Sequence, residues 1–286
     1  NRIKRDTPVM VVLGNPPYAV SSSNASIGPD GKKTWIGTLL EDYKRNLNEQ
    51  NIQPLSDDYI KFIRYGQYYI NRNGEGILAY ISNNSFIDGI IHREMRKHLL
   101  QTFDRIYILD LHGSTKKNET TEDGGKDENV FDIQQGVSIN IFIKTHRKRT
   151  NSLGEVFHCD VFGTRESKNN YLNNNQMSSI DWTKLDFKNP YFFFVPKDFS
   201  SEDIYSQGFR LNNLFKIYNT GIETGRDQFF VDFERVELEN KIQNVFKNLD
   251  NRAILEKYKI RDSSSFRFLS SLQESSYDDS KIKKIA

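Results

Sequence analysis

The run Val9-Met10-Val11-Val12-Leu13, bounded by Pro8 and Gly14 and followed by Asn15-Pro16-Pro17-Tyr18, limits what this chain can fold into more than any other stretch. Five consecutive apolar residues between turn formers predict a short strand buried on both faces, as in a parallel α/β sheet. Gly14 and the two prolines stop that strand and stiffen the backbone directly after it. In open α/β sheets ligands bind just beyond the carboxyl ends of strands, so chemistry is expected at residues 15–18. A rigid Asn followed by an aromatic ring suits the holding of a planar nitrogenous group by its edge and its face. The plainer alternative is a strand that ends in a proline-rich turn.

Further elements follow from periodicity. Asp57-Asp58 starts a helix that runs to about Asn71 and is ended by Gly74, and Ile77–Ile81 forms a second buried strand with Ser82–Phe86 at its carboxyl end. Residues 91–102 predict a basic amphipathic helix with His92, Arg93, Arg96, Lys97 and His98 outward and Met95, Leu99 and Leu100 inward. Arg105–Leu111 is a third strand, and residues 113–129, which lack apolar side chains, predict a solvated loop. Val137, Ile139, Ile141 and Ile143 alternate with Ser138, Asn140 and Phe142 as a strand of period two. Glu155–Val161 reads as an edge strand and Arg165–Leu172 as a helix. An aromatic linker, a short strand at Phe229–Phe233 and helices near 234–248 and 251–258 complete the reading.

With a net charge of +2 and an isoelectric point near 8.4, nucleic-acid binding has to be local rather than a property of the whole surface. A mean hydropathy of −0.68 and the lack of an apolar run near 18 residues argue against a membrane span. Cys159 is the only cysteine and cannot form an internal disulfide, which fits a reducing cytoplasm. Five scattered histidines and one cysteine make no H-E-x-x-H or paired-cysteine pattern, so no metal is expected. The chain begins at Asn1 without Met, a few residues before a strand, and so reads as a piece of something larger.

Asn15-Pro16-Pro17-Tyr18 resembles motif IV of amino-methyltransferases that use S-adenosylmethionine, both DNA N6-adenine methyltransferases and protein glutamine N5-methyltransferases. The order of elements after it, with Val130-Phe131 and Val137–Lys144 resembling motif VIII, is similar to the second half of a gamma-class DNA N6-adenine methyltransferase over residues 8–145. Gly221-Ile222-Glu223-Thr224-Gly225 resembles the entry into a DNA specificity domain. Together with Gly163-Thr164-Arg165-Glu166, it makes the whole most similar to single-chain restriction–modification enzymes of the type ISP and type IIG kind.

The resemblance implies a partial Rossmann-like class I methyltransferase sheet in residues 1–165, a linker in 166–215 and the start of a specificity domain in 216–286. It implies acceptors at Asn15 and Pro16 for the target amine, with Pro17 between them and a stacking Tyr18. Phe131 either closes the pocket against the base or is a core residue at a strand start. Gly221, Gly225 and Arg226 approach DNA phosphates or form a structural turn. The implied cofactor is S-adenosylmethionine and the implied partner is double-stranded DNA, with fusion to a nuclease and a helicase in the parent chain. The family's glycine-rich cofactor motif has no counterpart here. The strand at 9–14 should therefore present an unpaired apolar edge, and the chain alone should be inactive. Two other readings stand beside this one: a protein glutamine N5-methyltransferase, and a non-catalytic DNA-recognition fragment.

Overall fold

The computed structural model describes residues 8, 10–18, 24–49, 51–121, 123–145, 152–209, 211–215, 226–262 and 268–274. Two compact units divide between Glu202 and Asp203, inside the stretch expected as a linker.

The first unit is built on a six-stranded mixed sheet of β1 (Val11–Gly14), β2 (Gly76–Asn83), β3 (Arg105–Asp110), β4 (Val137–Lys144), β5 (Glu155–Asp160) and β6 (Thr183–Lys184). Its spatial order is β1-β2-β4-β3-β5-β6. β1 pairs parallel with β2, and β3 with β5. β4 lies antiparallel between β2 and β3, and β6 antiparallel beside β5. The carboxyl ends of β1, β2, β3 and β5 therefore meet at one edge of the sheet, together with the amino end of β4.

One face of this sheet is closed by α1 (Asp58–Asn73) and α2 (Arg93–Thr102). Ile60, Ile63 and Ile70 of α1 and Met95, Leu99 and Leu100 of α2 are fully buried against Leu78, Ile106, Ile108, Phe142 and Val156. Spacings of three and four bring such residues onto one helix side, and each buried side chain stabilises the fold by roughly 1.5–3 kcal/mol. Gly74 ends α1 at φ 92°, a left-handed conformation, and donates its N–H to Ile70 O at 3.0 Å. Gln67 of α1 is buried too: it accepts from Tyr43 Oη at 2.8 Å and donates to Thr102 Oγ1 at 2.7 Å, which ties α1 to α2.

Several expectations change. β1 is not buried on both faces. Val12 packs on the core, whereas Val11 and Leu13 are 54% and 71% exposed on the other face, and among the described residues β1 ends the sheet. The period of β4 is as expected, but after the buried Val137 its best-buried residues are Ser138, Asn140 and Phe142, while Ile139, Ile141 and Ile143 face the more open side. β5 is not an edge strand, because β6 pairs beside it.

Arg96 does not point outward either. It is fully buried, and its guanidinium donates to Phe86 O, Gly89 O, Tyr191 O and Phe192 O at 2.6–2.9 Å. These carbonyls satisfy the charge that the helix pattern assigns to water. Residues 185–194 are thereby drawn into the first unit, with Leu185, Phe192 and Phe194 in its core.

The second unit, described by itself, carries α4 (Arg235–Lys247), α5 (Arg252–Lys257) and α6 (Phe268–Glu274) around Phe229, Val245, Tyr258 and Phe268. The strand expected at Phe229–Phe233 is not formed: Asp227–Phe230 is a helical turn, and it buries Phe229. Among the described residues no helix is long and apolar enough to cross a membrane.

Candidate active site

The carboxyl edge collects what the four codirectional strands deliver. Directly after β1, Pro16 is buried, Asn15 and Pro17 are exposed, and Tyr18 is half-buried. The Tyr18 ring meets Phe131 at a centroid separation of 6.0 Å and an interplanar angle of 56°. Both rings rest on an apolar cluster of Leu109, Leu111, Val137 and Val161. Among the described residues the buried Tyr18 hydroxyl has no hydrogen-bond partner, and burial pushes its pKa up to about 12. An orphaned buried hydroxyl costs about 1–3 kcal/mol, so this one is a polar group in want of a partner. The sequence-predicted Asn15, Pro16, Pro17, Tyr18 and Phe131 thus gather at one edge.

The loop expected at residues 113–129 is solvated at 115–118 and 123–126 but not at its end before Phe131. Asp127 and Asn129 are buried. Asn129 donates to Gly113 O at 3.0 Å and Gln135 O at 2.7 Å, and its Oδ1 accepts the Phe131 N–H at 2.9 Å. Polar side chains that satisfy turn backbone order a loop as firmly as apolar ones, and composition alone does not reveal it.

The covered face of the sheet also turns polar toward this edge. Asn140 donates to Tyr80 O, Ser82 Oγ and Ser138 O at 3.0–3.3 Å, and Ser138 Oγ donates to Asn140 Oδ1 at 3.0 Å. Beyond the strand ends, Asn84 donates to Asp110 Oδ1 at 2.9 Å. His112 meets Asp160 Oδ1 through Nε2 at 2.7 Å, and its Nδ1 lies 3.7 Å from Asp110 and 3.6 Å from Glu119. Burial opposes charge on this imidazole. Hydrogen bonds to Asp160 and Glu119 and the charge of Asp110 outweigh it and hold the His112 pKa up at about 9. Burial pushes the Asp110 carboxyl up and the His158 imidazole down.

Asp110, His158 and Asp160 bring ligand atoms within 4.8 Å of one another, a set that could hold a metal ion. The His112 imidazolium already supplies a cation to the same carboxylates. The sequence reading misses this group because its members lie up to 50 residues apart and meet only through the parallel pairing of β3 and β5. Its one sequence signal is an Asp at the carboxyl end of each of those strands.

Gly221 and Gly225 lie outside the described residues. Arg226 belongs to the second unit, where its guanidinium lies 4.5 Å from the Phe268 ring centroid and donates to Arg261 O at 3.4 Å.

A mixed sheet of this order, with its polar and aromatic residues at the carboxyl edge, defines a methyltransferase-like α/β fold. Residues 8–116 match the family described as "Eco57I restriction-modification methylase", in line with the resemblance read from the sequence. Among solved structures, the ATP-dependent type ISP restriction–modification enzyme LlaBIII bound to DNA is similar at 24% identity and a TM-score of 0.66, over 96% of this chain and 19% of that one. The DrdV–DNA complex is similar at 22% identity and a TM-score of 0.62, over 95% and 28%. A nuclease-deletion mutant of the type ISP enzyme LlaGI with a DNA substrate mimic is similar at 21% and 0.58, over 85% and 20%. These likenesses show the fold, and the chain spans less than a third of each neighbour's length. No curated protein matches the sequence.

Proposed function

We propose that this chain is the target-base half of a DNA N6-adenine methyltransferase within a restriction–modification enzyme of the type ISP or type IIG kind. The observation that carries the reading is the meeting of Tyr18 with Phe131 at the carboxyl edge, beside an exposed Asn15 and a buried Pro16. An adenine swung out of the duplex stacks with its face on the Tyr18 ring and its edge toward Phe131, since the target atom is out of reach inside the stack. Stacking on one aromatic ring is worth about 1–3 kcal/mol per base.

The exocyclic amine of adenine is a poor nucleophile because its lone pair is delocalised into the ring. The Asn15 side-chain oxygen and the Pro16 carbonyl accept its two N–H bonds, draw the nitrogen toward tetrahedral geometry and expose that lone pair. The task is one of positioning, which explains why no nucleophile–base pair is needed. S-adenosylmethionine supplies the methyl group in this reading. Among the described residues no glycine-rich turn joins a strand to a helix in the way that cradles such a donor, so the residues present fit the base and not the donor.

The chain alone is accordingly inactive. Residues 1–165 form the carboxyl-terminal half of the catalytic domain, with residues 166–202 packed onto it. The second unit begins the specificity domain, in which Gly221, Gly225 and Arg226 approach DNA phosphates. The parent enzyme carries a nuclease and a helicase, as the ATP dependence of the LlaBIII enzyme and the nuclease of the LlaGI enzyme suggest by analogy.

The test is methyl transfer from labelled S-adenosylmethionine to duplex DNA by the natural full-length protein, followed by nucleoside analysis. Label is expected in N6-methyladenine and is expected to fall at least about a hundredfold in Asn15→Ala, by analogy with the loss of one oriented polar group at a reacting atom. Label in protein glutamine instead would overturn the adenine reading. Micromolar binding of S-adenosylmethionine by the isolated 286-residue chain would overturn the division of labour.

A further inference from the structure

Gly163-Thr164-Arg165, singled out in the sequence, has no role in the site as described so far. It opens α3 (Arg165–Asn174), where Thr164 Oγ1 accepts the Ser167 N–H at 3.2 Å as a helix cap. Gly163 adopts φ 134°, which side-chain-bearing residues rarely reach.

Every hydrogen bond that these residues make beyond their own turn ends on the segment that carries Phe131. The Gly163 N–H donates to Asp127 Oδ1 at 2.7 Å, and Gly163 O accepts the Glu128 N–H at 2.9 Å. The Arg165 N–H donates to Glu128 Oε2 at 2.9 Å. Its guanidinium reaches further, with Nε donating to Asn129 O at 2.9 Å and Nη2 donating to Phe131 O at 3.1 Å and Asp132 Oδ1 at 2.6 Å. One helical turn on, the wholly buried Lys168 ammonium donates to Leu111 O at 2.7 Å, Asp127 Oδ2 at 2.8 Å and Glu128 O at 2.6 Å, using all three of its protons.

Both main-chain polar groups of Phe131 are therefore held, its N–H by Asn129 and its carbonyl by Arg165. With both backbone groups held, the Cα–Cβ bond of Phe131 has a set direction, and from it the ring reaches Tyr18.

We propose that the start of α3 is a strap that sets the position of the Phe131 ring in the base pocket, with Arg165 and Lys168 as positioning residues. The proposal rests on Phe131 being a wall of that pocket. Lys168 and Asp127 are fully buried partners, so either one alone is also needed for folding. Arg165 is different. Its side chain is 42% exposed and its carboxylate partner Asp132 is 92% exposed, so that ion pair adds little to stability. What Arg165 does add is a planar fork across two carbonyls, which the single ammonium of a lysine does not reproduce.

The test is a double-mutant cycle in the natural full-length protein. Single-turnover methylation of plasmid DNA grown without adenine methylation is measured for Arg165→Ala, Phe131→Ala and the pair, with thermal midpoints alongside. Arg165→Ala is expected to slow transfer about tenfold, the scale set by a misplaced reacting group, while its thermal midpoint stays within about 2 °C of the parent. Because Arg165 acts through Phe131, adding Arg165→Ala to Phe131→Ala should cost nothing further. Arg165→Lys should restore less than half of the loss in rate.

An unchanged rate in Arg165→Ala overturns the strap. So does an equal loss in the Phe131→Ala background, which would place the action of Arg165 elsewhere. If Phe131→Ala itself transfers methyl groups at the parental rate, the pocket reading of Phe131 falls first and the strap with it. A slow Phe131→Ala beside an unaffected Arg165→Ala overturns the strap alone.

Discussion

Phe142 and Ile141 are neighbours on β4, yet they meet different surroundings. Phe142 points to the face covered by α1 and α2, where Leu78, Ile106 and Val156 also have no exposure. Ile141 points to the opposite face, shared with the exposed Val11 and Leu13 of β1 and the partly exposed Ile77 of β2. One sheet thus has a sealed face and an apolar one that is covered around Leu109 and Val137 but open at Val11 and Leu13. A sequence rich in isoleucine on one side of a strand says which residues share a face, but not whether anything covers it. Coverage is a property of distant segments.

The comparison can be broken from its strong side first. Phe142→Ala removes a fully buried ring and should cost about 3–5 kcal/mol, read as a fall in the urea midpoint of the first unit. A loss below about 1 kcal/mol would mean that the sealed face is not sealed.

The carboxyl edge that joins the two faces offers an intermediate effect. Asp110, Glu119 and Asp160 face His112, and its pKa in the fold is about 9 against an ordinary 6.5. A raised folded-state pKa contributes stability that is complete below pH 6.5 and is lost as pH rises through about 9. After allowance for the partly exposed Asp160, this amounts to about 2 kcal/mol. Urea titrations between pH 6 and pH 10 should show that decline, and in His112→Gln the alkaline slope should be clearly smaller.

The open face should give the smallest change. Leu13→Lys, at a side chain 71% exposed, is expected to move stability by no more than about 0.5 kcal/mol. Sedimentation of the same variant should show less self-association than the parent, because a charge on an apolar edge strand opposes pairing with another chain. A large stability loss would show that β1 is packed where it is described as exposed.

The strands were largely legible because apolar runs bounded by glycine and proline carry their own punctuation, as at Gly74–Ile81. Tyr18 and Phe131 were legible through motif resemblance, and the structure brings them together. Buried charge was not legible. Arg96 and Asp127 read as surface residues, because a helical pattern in one case and a polar loop in the other assign charges to water. The carbonyls of Tyr191 and Phe192 that receive Arg96 lie 95 and 96 residues away. Phe229 misled in the other direction: aromatic residues favour strands in general, yet a helical turn buries this ring in a small helical core. Long-range pairing decides each of these cases, and local pattern is silent about it.

The middle place of β4 has a consequence for the order in which the chain is made. β2 and β3 leave the ribosome before β4, each with one flank that only β4 can fill, and β4 ends at Lys144. At about 5–20 residues per second, the nascent chain carries that gap for a few seconds after Asp110 has been added. During translation β2 and β3 therefore wait for β4 with their facing flanks open, before β5 and β6 extend the sheet, and in that interval those flanks are free to pair wrongly.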